Sequence, residues 1–190
     1  MSLKSVAAFL PFGIGVTISI LFFFYLDAHS IVDYIGLQNA YVLMYVVATV
    51  GGMTTFNTIP YFSIILILAS AGVNPVLLGL SSAFGVMTGD SFSYLVGNQG
   101  ATIIPDSLRS LFTKIYSWAI AHPKLFPIVC LLYGTVSPLS NDFITIPAGM
   151  AKVPYWRVMT PLGVGNIIFN ISFAFLSVYA YDWVQAVFVG

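Results

Sequence analysis

Residues 134–149 read "GTVSPLSNDFITIPAG", two prolines with Asn141 and Asp142 between apolar flanks, in a 190-residue chain that is 59% hydrophobic and only 6% charged. A helix that crosses a bilayer needs roughly 20 consecutive apolar residues, and in lipid an irregular backbone is tolerated only where protein or water satisfies its amides and carbonyls. Whether this stretch is a kink in a crossing helix or the tip between two half-length helices decides the fold.

Composition sets the class. Mean hydropathy is +0.98 and 16% of residues are aromatic, values far outside the range of soluble domains. The expectation is an all-α integral membrane protein with one transmembrane domain over residues 1–190. Its six Asp and six Lys or Arg cancel, with no Glu in the chain, so no basic surface for nucleic acid is available. The lone Cys130 lies in an apolar run, which excludes an intrachain disulfide and reads as a small buried hydrophobe.

Three segments are long and apolar enough for complete spans: Ser5 to Leu26, Pro75 to Gly97 and Tyr155 to Tyr181. The first is longer than a signal-peptide core and lacks a clear small-residue cleavage site, so it reads as a retained span. Two further regions, 37–72 and 123–150, are each interrupted, the first by "GGMTTFNTIP" (Gly51 to Pro60), the second by "GTVSPLSND". Each half has about a dozen residues, which at 1.5 Å per residue reaches about halfway through the hydrocarbon. Paired short halves around a Gly, Pro and polar break describe a re-entrant hairpin. The two regions also form a weak internal repeat: Ile59-Pro60, Ala71-Gly72 and Pro75 correspond to Ser137-Pro138, Ala148-Gly149 and Pro154. Discontinuous segments at corresponding places in two halves are the transporter pattern, with the binding site where they meet.

Charge placement gives a second line of argument. If both broken regions return to the side they entered from, Lys4, Arg109, Lys114, Lys124, Lys152 and Arg157 share one side, and Asp27, Asp33 and Asp182 take the other. This satisfies the positive-inside rule, puts the N-terminus in the cytoplasm and makes the two hairpins enter from opposite faces. If both regions instead cross as kinked helices, the second crossing puts Lys152 and Arg157 on the opposite side from Arg109, Lys114 and Lys124, and the segregation of the basic residues is lost. Between the halves, residues 98–123 form the longest polar stretch. There Leu108, Leu111, Phe112, Ile115, Trp118 and Ala119 recur at helical spacing, opposite Arg109, Lys114 and Ser117. A cytoplasmic amphipathic connector follows.

Two acidic residues stand out. Asp90 falls within the span 75–97, on a helix whose Gly85 and Gly89 form a face for close packing. A carboxylate at that depth costs several kcal/mol unless neutralised, paired or hydrated, which makes it a functional-site candidate; the competing reading is a structural hydrogen bond through Ser91, Thr88 or a hairpin amide. Asp142, with Asn141, Ser140, Ser137, Pro138 and Thr135, forms the tip of the second break. There "FITIPAG" could begin a half-helix with Asn141 or Ser140 as N-cap, and Asp142 either faces a cavity or caps its own helix. Asn57, Thr54, Thr55, Thr58 and Pro60 are the counterpart at the first break. Asn166 and Asn170, one turn apart, either face the same cavity or hydrogen-bond between helices. His29 and His122 have no ligand-spaced partners and the serines no His base, so no metal, no cofactor and no hydrolase triad is expected.

"GVMTGDSFSYLVGNQG" (Gly85 to Gly100) and "SPLSNDFITIPAGMAKVPYWRVMTPLGVGN" (Ser137 to Asn166) resemble the signature regions of the DedA superfamily, also called the VTT or SNARE-associated Golgi protein family. The resemblance runs from about Gly51 to Asn170 and implies two opposed re-entrant hairpins and movement of lipids between leaflets, of polyprenyl phosphate or phospholipid. The chain departs from the bacterial pattern: Tyr61 and Phe62 stand where an acidic residue accompanies the first hairpin's proline, and Thr135 and Asn141 stand where two arginines flank the second. The expected function is a lipid transporter or scramblase, not an enzyme, in a bacterial or archaeal cytoplasmic membrane. Its partners are membrane lipids, with a homo-oligomer or a membrane partner subunit possible, and its path runs past Asp90, Asp142, Asn141, Ser137, Pro138, Thr135, Asn57, Pro60 and Asn166. The alternative is a non-catalytic structural subunit of a membrane complex. A more remote one is an intramembrane aspartyl protease, prompted by two acids and "TGD" at Thr88 to Asp90; its motif needs a glycine where this chain has Met87.

Overall fold

The computed structural model describes residues 28–53, 59–99 and 106–188. The segment Ser5 to Leu26, and with it Lys4 and Asp27, lies outside the described residues, as do Thr54, Thr55, Asn57 and Thr58. Every described element is helical: α1 (Ala28–Ile35), α2 (Leu37–Gly52), α3 (Ile59–Ser70), α4 (Pro75–Asn98), α5 (Asp106–Ala121), α6 (Phe126–Val136), α7 (Asp142–Met150) and α8 (Tyr155–Phe188). Among the described residues one helix, Tyr155–Ala180 within α8, is long and apolar enough to cross a membrane.

The helix ends follow from local chemistry. Asn74 caps α4, its side-chain oxygen accepting from the amides of Val76 (3.0 Å) and Leu77 (3.2 Å), with Pro75 in the first turn where a missing N–H costs nothing. α6 stops at Val136 because Pro138 has no N–H to continue it and forces the residue before it out of helical backbone; Ser137 sits at φ −83, ψ 122. α3 and α7 end in the same turn. Val73 N–H donates to Leu68 O and Gly72 N–H to Ala69 O, while Val153 N–H donates to Ala148 O and Lys152 N–H to Gly149 O. Both are Schellman motifs with the left-handed residue after the helix, Gly72 at φ 82 and Lys152 at φ 50.

That equivalence corrects the register of the internal repeat. The turns superpose Ala71-Gly72 on Ala151-Lys152, not on Ala148-Gly149, which correspond instead to Leu68-Ala69 inside the helix. Carried through α4 and α8, the same shift of 80 positions equates Gly85 with Gly165, and both are points of close helix approach. A Cβ on Gly85 would meet Tyr45 O and Thr49 N of α2; one on Gly165 would meet Leu131 O and Thr135 N of α6. Thr49 and Thr135 each bond back to those carbonyls, Tyr45 O and Leu131 O, at 2.8 Å. The repeat therefore extends to α2 and α6, with six fewer residues at the second break.

α4 and α8 run antiparallel through the centre: Gly79 meets Ile171, Met87 meets Gly163, and Ser91 bonds Tyr155. α2 lies alongside α4 and in the same direction, Tyr41 meeting Ser81 and Gly52 meeting Gly89. α6 begins at the opposite end, Phe126 clustering with Tyr94, Val158 and Met159, and also ends near the middle. The short helices are exchanged between halves. α3 packs on α8 through Phe62, Phe169 and Phe173, while α7 packs on α4 through Gly149 and Gly97. The limbs of the second broken region therefore splay, α6 against α8 and α7 against α4, so this is not a hairpin packed on itself. α5 covers α7, its Phe112 against Phe143. Of the apolar set in α5, Phe112 and Ala119 are buried and Leu111 and Trp118 exposed.

Two apolar cores result. One is built around Ala40, Met44, Ile65, Leu68 and Leu78, the other around Phe126, Cys130, Ala148, Val158 and Leu162. Outside them the surface stays apolar: Val42, Val46, Leu77, Phe84 and Phe92, and on the second half Ile128, Leu132, Ile168 and Leu176, are all exposed.

Candidate functional site

Between α4 and α8, past the midpoint of α4, the free ends of α2, α3, α6 and α7 converge on one cavity. It offers about 20 Å³ of space to a water-sized sphere, enough for a single water molecule. Its wall is composed of repeat-related pairs: Gly51 with Ser137, Tyr61 with Asn141, and Val86 with Asn166. In each pair the second half supplies the polar member where the first supplies glycine, an aromatic ring or an aliphatic side chain. Asp90 joins the wall from α4 and Ser140 from the break before α7.

Asp90 is 1% exposed. Asn141 Nδ2 donates to its Oδ2 at 2.8 Å and Asn166 Nδ2 to the same oxygen at 3.3 Å. Asn141 Nδ2 also donates to Asn166 Oδ1 at 3.1 Å, closing a triangle of one carboxyl and two amides. A buried hydrogen bond contributes about 0.5–1.5 kcal/mol net, and leaving a buried polar group unpartnered costs about 1–3 kcal/mol. The triangle thus clamps α7 and α8 onto α4. Behind it Asn170 Nδ2 donates to Asn166 O at 2.8 Å and Ser82 Oγ to Asn170 Oδ1 at 2.9 Å, so Asn170 serves helix-to-helix bonding and does not face the cavity. Tyr133 OH donates to Ser140 O at 2.9 Å, fixing the backbone of the break.

The expected site residues separate accordingly. Asp90, Asn141, Asn166, Ser137 and Ser140 are brought together at the cavity. Asp142 is equally buried, at 1%, and near enough to Asp90 for the two carboxyls to interact electrostatically, but it is not part of the wall; its Oδ1 is buried without a hydrogen-bond partner. Thr135 turns its hydroxyl back to Leu131 O and Pro138 is exposed, so neither lines the cavity. Pro60 lies in the first turn of α3, and Asn57 lies outside the described residues. Asn141 occupies the N-cap position of α7 but makes no side-chain cap bond, because its amide is committed to Asp90. The N-terminal turn is held instead by Asn141 O, which accepts from Ile144 and Thr145 at 2.9 Å, and by Ser140 Oγ, which accepts from Asp142 N–H at 3.3 Å.

Nor is Asp90 held through Ser91 or Thr88. Ser91 bonds Met87 O and Tyr155 OH, and Thr88 bonds Phe84 O and Tyr45 OH. Tyr61, Gly51, Gly52, Val86, Leu139 and Phe169 complete the wall among the described residues and carry no polar pattern in the sequence that singles them out. Tyr61, as the neighbour of Pro60, and Gly51 and Gly52, which open the first break, were within reach. Among the described residues no group of three or more His, Cys, Asp or Glu could hold a metal ion. Comparison with family models, with curated proteins and with solved structures found no match to this chain.

Proposed function

We propose that this chain is an integral membrane protein that moves lipid head groups between leaflets, a divergent relative of the DedA superfamily. In this reading the span 5–26, α4 and α8 cross the bilayer, and the regions 37–72 and 123–150 enter it from opposite faces, with the N-terminus in the cytoplasm of a bacterial or archaeal cell. The observation that carries the reading is the triangle of Asp90, Asn141 and Asn166, a buried carboxyl and two amides where two interrupted, repeat-related segments meet. Backbone interrupted at membrane depth needs protein or a cavity beside it, and a transporter's substrate site lies where such segments meet. The apolar exposed faces of α2, α4, α6 and α8 suit lipid as their surroundings.

The cavity as it stands admits a water and no head group. Passage therefore requires α7 or the break 137–141 to withdraw from α4, and the bonds from Asn141 to Asp90 and Asn166 are what must open. Asn141 occupies a position to which the resemblance assigns an arginine, and a neutral amide there favours a zwitterionic or amine head group over a bare phosphate, which an arginine would hold by a bidentate charge-assisted pair. The mutual bonding of the three polar groups also fits a structural subunit whose polar residues serve packing, and one experiment separates the two. Purified protein in liposomes with head-group-labelled phospholipid is exposed to dithionite. Quenching beyond the outer-leaflet fraction that falls in Asp90→Asn and Asn141→Ala supports lipid movement; quenching equal to protein-free vesicles overturns it.

A further inference from the structure

The wall of the cavity is rich in acceptors. Both amide bonds to Asp90 end on Oδ2, and Asn141 commits its Nδ2 to Asp90 and Asn166, so Oδ1 of Asp90 and Oδ1 of Asn141 take no part in the triangle. Ser137 Oγ accepts from Leu139 N–H at 3.2 Å and Ser140 Oγ from Asp142 N–H at 3.3 Å. Among the described lining residues there is no Lys, Arg or His. The C-terminal ends of α2 and α6 reach the wall with their partial negative charge, and the N-terminal ends of α3 and α7 reach it with the opposite one. These nearly cancel, and the carboxyls decide the sign. Asp90 is in the wall, and Asp142 lies behind it with an unpartnered buried oxygen.

We propose that this cavity binds one small monovalent cation, with Asp90 as the charged ligand and Asn141, Asn166, Ser137 and Ser140 as neutral oxygen ligands, and that Na⁺ is the ion that fits. The space holds a single water-sized body, which suits a bare ion of that size or smaller. One carboxyl in the wall balances one positive charge, whereas calcium takes six to eight oxygens with several carboxylates among them. Broken helices at a repeat interface supply the unwound carbonyls and helix ends that hold Na⁺ in other transporters. The ion would also hold α7 against α4, since Asn141 and Asp90 belong to one helix each. This inference does not depend on a lipid substrate.

The test uses the full chain purified in detergent in sodium-free N-methylglucamine buffer. Binding of ²²Na⁺ is measured by scintillation proximity, and thermal stability is measured against NaCl and choline chloride at constant ionic strength. Saturable binding of about one ion per chain is expected, with Tm rising with Na⁺ alone, as mass action requires of a ligand of the native state. Asp90→Asn should weaken binding at least tenfold and Asn166→Ala severalfold, while Ser177→Ala on α8, away from the cavity, keeps it. Each variant is first checked for a monodisperse elution profile, and Ser140→Ala provides a milder lesion should Asp90→Asn fail that check. Absence of saturable binding, an equal rise of Tm with choline, or wild-type binding in the well-folded wall variants overturns the site. The dithionite assay, run separately, reports on lipid movement whichever way the ion experiment falls.

Discussion

Asn141 and Asp90 are 51 positions apart in the chain and joined by a 2.8 Å hydrogen bond in the middle of the molecule. One residue ends a break in the backbone and the other sits inside an unbroken helix, so this bond ties the discontinuous segment to the central pair. The two groups depend on each other energetically. Asn141→Ala leaves Asp90 with the longer Asn166 contact, and Asp90→Ala leaves two amides without their common acceptor. Each single substitution is expected to cost about 1–3 kcal/mol, and the double substitution distinctly less than their sum. Unfolding of the four proteins in mixed micelles measures the coupling; strict additivity would mean the bond contributes nothing.

The matched turns after α3 and α7 differ in one residue, Gly72 against Lys152, both at positive φ. A side chain in left-handed backbone costs roughly 1 kcal/mol relative to glycine. Lys152→Gly is therefore expected to stabilise the protein by about 0.5–1 kcal/mol, and Gly72→Ala to destabilise it by about 1 kcal/mol. Opposite shifts in Tm check both the turns and the repeat register drawn from them.

Much of this fold was legible in the sequence, because its strongest signals are negative ones. Pro138 cannot continue a helix, Pro75 and Asn74 start one, and a charge at Asp90 inside an apolar run needs a partner. The partners themselves were less legible. Asn141 reads as an N-cap by residue type and position, and only the three-dimensional approach of α7 to α4 turns its amide toward Asp90. The repeat was visible as spaced prolines and Ala-Gly pairs, but its register was misread by composition: Ala148-Gly149 copies Ala71-Gly72 in letters, while the turn falls on Ala151-Lys152. Tyr61 and Val86 enter the cavity wall as repeat mates of Asn141 and Asn166, a relation no local pattern expresses.

Gly85 and Gly165 mark where α2 and α6 press on the central helices. A Cβ on Gly165 would lie 2.5 Å from Leu131 O and 2.8 Å from Thr135 N, contacts to backbone that a rotamer change cannot relieve. Alanine at either glycine is expected to cost about 1–3 kcal/mol by overpacking, with similar losses at the two sites because the contacts are equivalent. Thermal unfolding of Gly85→Ala and Gly165→Ala measures this; a neutral result at one alone would show that the halves pack unequally.

The proposed route of the chain through a bilayer has the most direct test, since the two topologies differ in where Lys152 emerges. α6 begins near Tyr94, and α7 ends against Tyr94 and Asn98, so the second broken region enters and leaves beside the same end of α4. Lys114 on α5 and Lys152 after α7 should then face one compartment, and Asp33 on α1, near the other end, should face the opposite one. All three are exposed, and Cys130 is a buried free thiol whose replacement by serine provides a background with no other cysteine. Single-cysteine proteins carrying Asp33→Cys, Lys114→Cys or Lys152→Cys are labelled with a membrane-impermeant maleimide in right-side-out and inverted vesicles. The expected outcome is labelling of the Lys114 and Lys152 positions from the same side only, and of the Asp33 position from the other. If the second region crossed as a kinked helix, the Lys114 and Lys152 positions would label from opposite sides. The positive-inside arrangement and the pairing of opposed broken segments would then both have to be abandoned.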